Sequence, residues 1–286
     1  MVKPDARDEF TLHVSRDDVA PPVDTMIELR ALLFDVDGTL ADTERDGHRV
    51  AFNQAFAAAG LDWHWPVELY GDLLPITGGK ERLRAYVERY RPAWDPPSDL
   101  DAWVAAMHAD KTRRYLEMLA GGAIPLRPGV RRLLGEGRAA GLRLAITTTT
   151  TPQNVIALLR ESLAPDAEGW FDVIAAGDCV PAKKPAPDVY EYALRELGLP
   201  ADACLAFEDS NVGLRAALGA GITTIVAVDV YSRGQDFTGA AIVLDHLGEP
   251  DQPCMVLAGD AGDVRYVDVA LARRIHAQAL SARARR

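Results

Sequence analysis

Cysteine is scarce in this chain, with three residues among 286, at positions 179, 204 and 254, and no CxxC pair. Three widely spaced cysteines exclude a disulfide framework and a thiolate zinc site, and they suit a reducing compartment. The six histidines show no HExxH or HxH spacing, so the common histidine metal signatures are missing too. His48 and His108 fall in helical stretches and read as surface or core-edge residues. No apolar run approaches the length of a membrane span. Positive charge is in deficit: 31 Lys and Arg stand against 42 Asp and Glu, a net charge of −11. That balance argues against nucleic acid as the main partner, although locally converging cations can still bind an anion. Residues 1–25 have neither the apolar centre of a secretory signal nor the acid-poor bias of a transit peptide. They read as a poorly ordered extension, and the protein is expected to be cytoplasmic and monomeric.

What is present is an ordinary globular composition, 48% hydrophobic and 26% charged, long enough for one large domain or two modest ones. The most informative run is Leu32-Leu33-Phe34-Asp35-Val36-Asp37-Gly38-Thr39. Ala31–Val36 has the length and apolarity of a buried strand, which Gly38 ends at once. Two carboxylates therefore sit at the carboxyl end of a strand, where open α/β sheets place their ligands. Side chains alternate along a strand, so the turn at Gly38 must bring Asp37 round beside Asp35. Two carboxylates that close call for a cation, a shared proton or a reaction.

From Thr43 to Ala59 the pattern turns helical, and further helical stretches follow at about 67–74, 79–91 and 99–120. Trp63, Trp65, Trp94 and Trp103 lie in this section and read as core anchors. Strand-like runs resume at Leu142–Thr148, Val173–Ala176, Cys204–Phe207, Thr223–Val228 and Ala241–Leu244, separated by helical segments at 128–139, 152–163, 187–197 and 211–220. This alternation predicts an α/β fold with a doubly wound parallel sheet. A small all-helical domain is inserted after the first strand. The expected division is a core at 26–44 and 122–250, a helical cap at 45–121, and a C-terminal helical tail at 251–286. The five arginines of Leu271–Arg286 read as a solvated terminal helix.

Four patches fall at the carboxyl ends of successive strands: Asp35 with Asp37, the threonine run 147–151, Lys183-Lys184-Pro185, and Phe207-Glu208-Asp209-Ser210. Singly, each has a plain structural explanation: β-branched residues suit strands, lysine pairs are commonly surface, and acids cap helices. Together, acid pairs at two strand ends make an oxygen-rich site for a hard cation, most naturally Mg²⁺. A lysine and hydroxyls nearby supply donors for a phosphoryl group.

On these residues the chain resembles the haloacid dehalogenase superfamily, whose four motifs match Asp35–Thr39, Thr148, Lys184 and Glu208–Asp209, and whose core is Rossmann-like. The runs Ala41–Arg49, Leu69–Leu74, Gly78–Arg82, Leu126–Val130, Lys183–Tyr190 and Asp236–Ala240 are similar to those of CbbY-type xylulose-1,5-bisphosphate phosphatases. That resemblance covers about residues 27–250. It implies a small phosphorylated sugar as substrate, cleaved to xylulose 5-phosphate, and the removal of an inhibitor of ribulose bisphosphate carboxylase.

The resemblance also implies residue roles. Asp35 would attack phosphorus to form an aspartyl-phosphate, and Asp37 would act as general acid and then base. Asp35, the backbone carbonyl of Asp37, Glu208 and Asp209 would hold Mg²⁺. Thr148 and Lys184 would cradle the transferring phosphoryl group, with Thr149 beside them. A bisphosphate needs a second anion site, for which the cap offers Gly78, Gly79 and Lys80 at a helix start, with Arg82 and Lys111. The GxxxxGK[ST] spacing of a P-loop is absent there, Glu81 standing in place of the hydroxyl. Asp42, beside the hinge, is a candidate for sugar hydroxyls, or a helix cap. A β-phosphoglucomutase-like mutase or a broader sugar-phosphate or phosphoglycolate phosphatase shares the core motifs.

Overall fold

A computed structural model of the protein describes residues 27–285 apart from 77, 261 and 264; the extension expected at 1–25 lies outside the described residues. The strands β1 (Ala31–Phe34), β2 (Arg143–Thr147), β3 (Val173–Ala175), β4 (Cys204–Glu208), β5 (Thr223–Ala227), β6 (Ile242–Leu244) and β7 (Val256–Gly259) form one sheet. Their order is β3-β2-β1-β4-β5-β6-β7, parallel up to β6, with β7 antiparallel at the edge. From β1 the chain winds outward to β2 and β3, then crosses back to lay β4 on the other side of β1. The strand order thus reverses between β1 and β4, and such a switch opens a crevice at the strands' carboxyl ends.

Both faces of the sheet are covered, as its unbroken apolar strands require. On one face Leu32, Phe34, Leu144, Ile146, Leu205 and Phe207 pack against helices α5 (Val130–Ala139), α6 (Pro152–Ser162) and α9 (Val269–Ala284). On the other, Ala31, Leu33, Ala145, Cys204 and Ala206 meet α7 (Asp188–Leu197) and α8 (Asn211–Gly219). The stacked rings of Phe34 and Phe207, 4.6 Å apart, tie β1 to β4 directly beneath the crevice.

Between β1 and α5 lie only helices among the described residues: a π-helical turn Thr43–His48, α1 (Arg49–Ala58), α2 (Val67–Leu73), α3 (Gly79–Tyr90) and α4 (Leu100–Ala120). They have their own apolar centre, in which Phe52, Phe56, Trp63, Trp65, Tyr70, Leu83 and Tyr86 are buried. The two linkers to the core are paired, Ala41 bridging Leu126 in antiparallel fashion while the Arg127 N–H donates to the Leu40 carbonyl at 2.8 Å.

The structure departs from the sequence reading at the C-terminus. The stretch 251–286 carries strand β7 as well as a helix, and α9 buries Leu271, Ala272, Ile275 and His276 instead of standing free in solvent. The arginines of α9 mislead because they stand on its exposed side, away from its short buried stripe. β7 is a largely exposed edge strand with little periodicity to read.

Candidate active site

The crevice at the switch point is where Asp35 and Asp209 emerge from β1 and β4. The Asp35 N–H still donates to Phe207 O at 3.0 Å, so the sheet ladder itself fixes the start of the turn. Gly38 has φ +82°, a conformation that side chains disfavour. A Cβ on Gly38 would also overlap the Asp209 carboxylate. The glycine therefore lets the first acidic loop turn and lets the second approach it.

Carboxylate oxygens of Asp35, Glu208 and Asp209, all buried, lie within 4.8 Å of one another. Lys184 bridges two of them, with Nζ at 2.7 Å from Asp35 Oδ1 and 2.6 Å from Glu208 Oε1. Glu208 Oε1 also accepts from the Tyr190 hydroxyl, while its Oε2 is buried without a hydrogen-bond partner. Burial pushes Glu208 up to about 7 against the pull of Lys184. Burial, with the charges of Asp35, Asp229 and Glu208, holds Asp209 well above the usual carboxylate range. Burial opposes the charge on Lys184, but Asp35 and Glu208 outweigh it and raise its pKa. One lysine among three crowded carboxylates leaves an excess of negative charge and an orphaned oxygen. Both observations fit a hard cation with oxygen ligands. Lys183, by contrast, turns outward to an exposed pair with Asp178.

Asp37 sits between the core and the first cap turn. Its two carboxylate oxygens accept from the hydroxyls of Thr43 and Thr150. Burial, reinforced by the charges of Asp35 and Glu44, pushes its carboxyl up to about 6. Thr148 is buried, and its Oγ1 accepts from the Thr150 N–H at 3.2 Å. Thr149 is exposed. The hydroxyl that reaches Asp37 is thus Thr150, two residues beyond Thr148, and sequence reasoning had passed over it.

Facing the acids from the cap is a second polar network. Lys111 is buried, with Nζ at 2.7 Å from His48 Nδ1 and poised over the rings of Phe52 and Tyr115. Burial pulls Lys111 down to about 8, against the charge of Glu44. Burial, with the nearby charges of Lys111, Arg82 and His108, holds His48 well below its ordinary range, so Nδ1 is an acceptor for the ammonium. Arg82 is also buried; it donates to the Tyr70 hydroxyl at 2.8 Å and to the carbonyls of Leu73 and Ile76, and Tyr70 in turn donates to Glu44. Gly78 and Gly79 open α3, where a Cβ on Gly79 would stand 2.6 Å from the His108 ring. Lys80 is exposed. The carboxylate of Asp42 faces two arginines, Arg127 Nε at 3.3 Å and Arg45 Nη2 at 2.8 Å.

The sequence singles out none of Tyr70, Thr150 and Tyr190, and it reads His48 only as a surface or core-edge residue. His48 had a usable signal: it lies five residues after Thr43, a little over one turn along the same helical stretch. The others depend on pairings between distant segments that no spacing displays.

The cap rests on the core. The rings of Tyr70 and Tyr231 are 5.9 Å apart, and a Cβ on Gly71 would stand 3.1 Å from Tyr231. A cleft of about 790 Å³ runs along this seam, lined by Leu74 and Pro75 of the cap and by Asn211, Arg215, Tyr231 and Gln235 of the core.

Comparison with known proteins agrees with this geometry. The family model of haloacid dehalogenase-like hydrolases matches residues 29–221. The chain is 49% identical over 248 residues to the plasmid-borne CbbY protein of Cupriavidus necator, covering 87% of this chain and 97% of that one. It is 53% identical over 214 residues to CbbY of Rhodobacter capsulatus, covering 75% and 92%. A solved structure of a CbbY variant from Rhodobacter sphaeroides in complex with xylulose-(1,5)bisphosphate superposes with a TM-score of 0.65 at 48% identity, over 76% of this chain and 94% of that one. With a seven-stranded, mostly parallel sheet under a helical cap and a buried acid cluster at its switch point, the chain belongs to the haloacid dehalogenase-like hydrolases, among the CbbY proteins, and is a phosphatase of that family.

Proposed function

We propose that the protein is a Mg²⁺-dependent sugar-bisphosphate phosphatase that converts xylulose 1,5-bisphosphate to xylulose 5-phosphate. The observation that carries the reading is Lys184 held between Asp35 and Glu208 at the switch-point crevice, beneath a cap whose buried cations are Arg82 and Lys111. The substrate is supported by the likeness to the Rhodobacter sphaeroides protein in complex with that sugar bisphosphate. Its removal would relieve inhibition of ribulose bisphosphate carboxylase.

Asp35, the backbone carbonyl of Asp37, Glu208 and Asp209 hold Mg²⁺ in this reading. The ion, when bound, neutralises the acids and the phosphoryl charge that would otherwise repel a carboxylate nucleophile. Asp35 attacks phosphorus, so that the O–P bond to the sugar breaks and an aspartyl-phosphate forms. Asp37 delivers a proton to the departing sugar oxygen, then takes one from the water that hydrolyses the acyl phosphate. The enclosure that lifts Asp37 to about 6 suits a group that must both give and accept a proton near neutrality. Lys184 and Thr148 steady the transferring oxygens. The second phosphate is taken by the cap at Gly78, Gly79 and Lys80, with Arg82 and Lys111 behind it, and cap closure excludes water.

The test is phosphate release from xylulose 1,5-bisphosphate with and without Mg²⁺, beside ribulose 1,5-bisphosphate, phosphoglycolate and β-glucose 1-phosphate. Fast, metal-dependent release from the first, abolished in Asp35→Asn, supports the assignment. Little release there, with isomerisation of glucose 1-phosphate primed by its bisphosphate, refutes it in favour of a mutase.

A further inference from the structure

The side chain that joins the most segments of the core plays no part in the chemistry described so far. Arg127 stands on the second linker between cap and core and is buried. A guanidinium carries five N–H donors in a fixed plane, and here the four on Nη1 and Nη2 all donate to backbone carbonyls, while Nε is ion-paired. Nη1 donates to the carbonyls of Gly38 and, at 2.7 Å, Ala227. Nη2 donates to Val228 O at 2.7 Å and Asp245 O at 2.8 Å. Nε faces Asp42 Oδ1 at 3.3 Å. Four of the five partners are neutral carbonyls, so this is not an ion pair kept for charge. The partners lie on four separate segments: the turn that carries Asp37, the first linker, and the carboxyl ends of β5 and β6. The backbone of Arg127 meanwhile pairs with the first linker at Leu40.

We infer that Arg127 is a positioning residue for the cap hinge, pinning both linkers and the Asp37 turn to the ends of β5 and β6. The cap meets the core through these linkers, the seam at Tyr231 and the packing of α4 on α6, and the linkers are its covalent joints, about which closing movements must pivot. Unpinned, the Gly38 turn shifts with the linkers, and Asp37 no longer returns to one place as the cap shuts. Held by four hydrogen bonds and an ion pair, it does. A lysine has three donors on a tetrahedral head and cannot span the same acceptors.

The inference rests on the phosphatase reading for its turnover measurement alone; a hydrogen-exchange measurement stands apart from it. Arg127→Lys keeps the charge and much of the volume. In it, amide exchange is expected to quicken about tenfold or more at 39–43 and 125–128, with strands β1 and β4 unchanged. In turnover, kcat is expected to fall about tenfold or more while KM moves little, as for a defect of alignment and not of binding. In Arg127→Ala, added guanidinium ion is expected to restore kcat where equal NaCl or urea does not. Exchange that quickens uniformly, or not at all, overturns the inference, as does an unchanged kcat in Arg127→Lys. Should the wild-type protein release no phosphate from any substrate offered, the phosphatase reading fails while the exchange result still decides the hinge.

Discussion

Gly213 offers a test in which two physical arguments give opposite signs. It lies in the first turn of α8, where helix propensity alone favours alanine over glycine by about 1 kcal/mol. A Cβ there would overlap Oε2 and the carboxyl carbon of Glu208 and stand 2.6 Å from Oε1. Ordinary contact requires the carboxylate to withdraw by about 1.5 Å, but Oε1 is tied to Lys184 at 2.6 Å and to the Tyr190 hydroxyl. Losing one hydrogen bond to a buried charged group costs about 1.5–3 kcal/mol, which outweighs the propensity gain. Gly213→Ala is therefore expected to destabilise the protein by about 0.5–2 kcal/mol, while Mg²⁺ affinity falls because Glu208 is displaced. Gly135, in α5 with nothing within 4 Å of its absent Cβ, is the control; Gly135→Ala is expected to gain about 1 kcal/mol. Urea unfolding of both variants, with calorimetric Mg²⁺ titration, decides the matter. A Gly213→Ala protein that is stabilised like the control and binds Mg²⁺ normally refutes the close packing on which the cation site depends.

Lys111, drawn down from 10.5 to about 8 by burial, destabilises the fold at neutral pH, because the unfolded chain holds the proton more tightly. Lys111→Met is expected to gain up to about 3 kcal/mol at pH 7, a gain that shrinks as pH rises from about 8 to 10.5 and wild type sheds its penalty; urea melts across that range check it. Thr150→Ala removes the hydroxyl that donates to Asp37, so the carboxyl is expected to rise further above 6, with kcat down about tenfold and KM nearly unchanged in steady-state assays of phosphate release.

The fold was legible because each strand of the core is a short apolar run closed by a turn residue, and each core helix an amphipathic stretch. Asp35 with Gly38, and Glu208 with Asp209, could be read because loop chemistry follows strand chemistry within a few residues. What stayed hidden is of another kind. Thr150 was masked by four identical neighbours, and only the path of the backbone decides which hydroxyl turns inward. Arg127 reads as one more charged residue before a proline, since all but one of its acceptors are backbone carbonyls and those carry no sequence signature. β7 and the docking of α9 rest on pairings with distant segments, which override the local impression of a polar, arginine-rich tail.

The reversal of strand order between β1 and β4 also governs how the protein must be made. Synthesis delivers β1, then β2 and β3, all on one side of it, and these can pair while the rest of the chain is still being built. Until β4 emerges, the opposite edge of β1 presents unpaired backbone and the ring of Phe34 to whatever is near, a template for association with other chains. The arrival of β4 closes that edge and in the same event brings Glu208 and Asp209 against Asp35. A nascent chain is thus both inactive and sticky until one late, long-range pairing removes both conditions together.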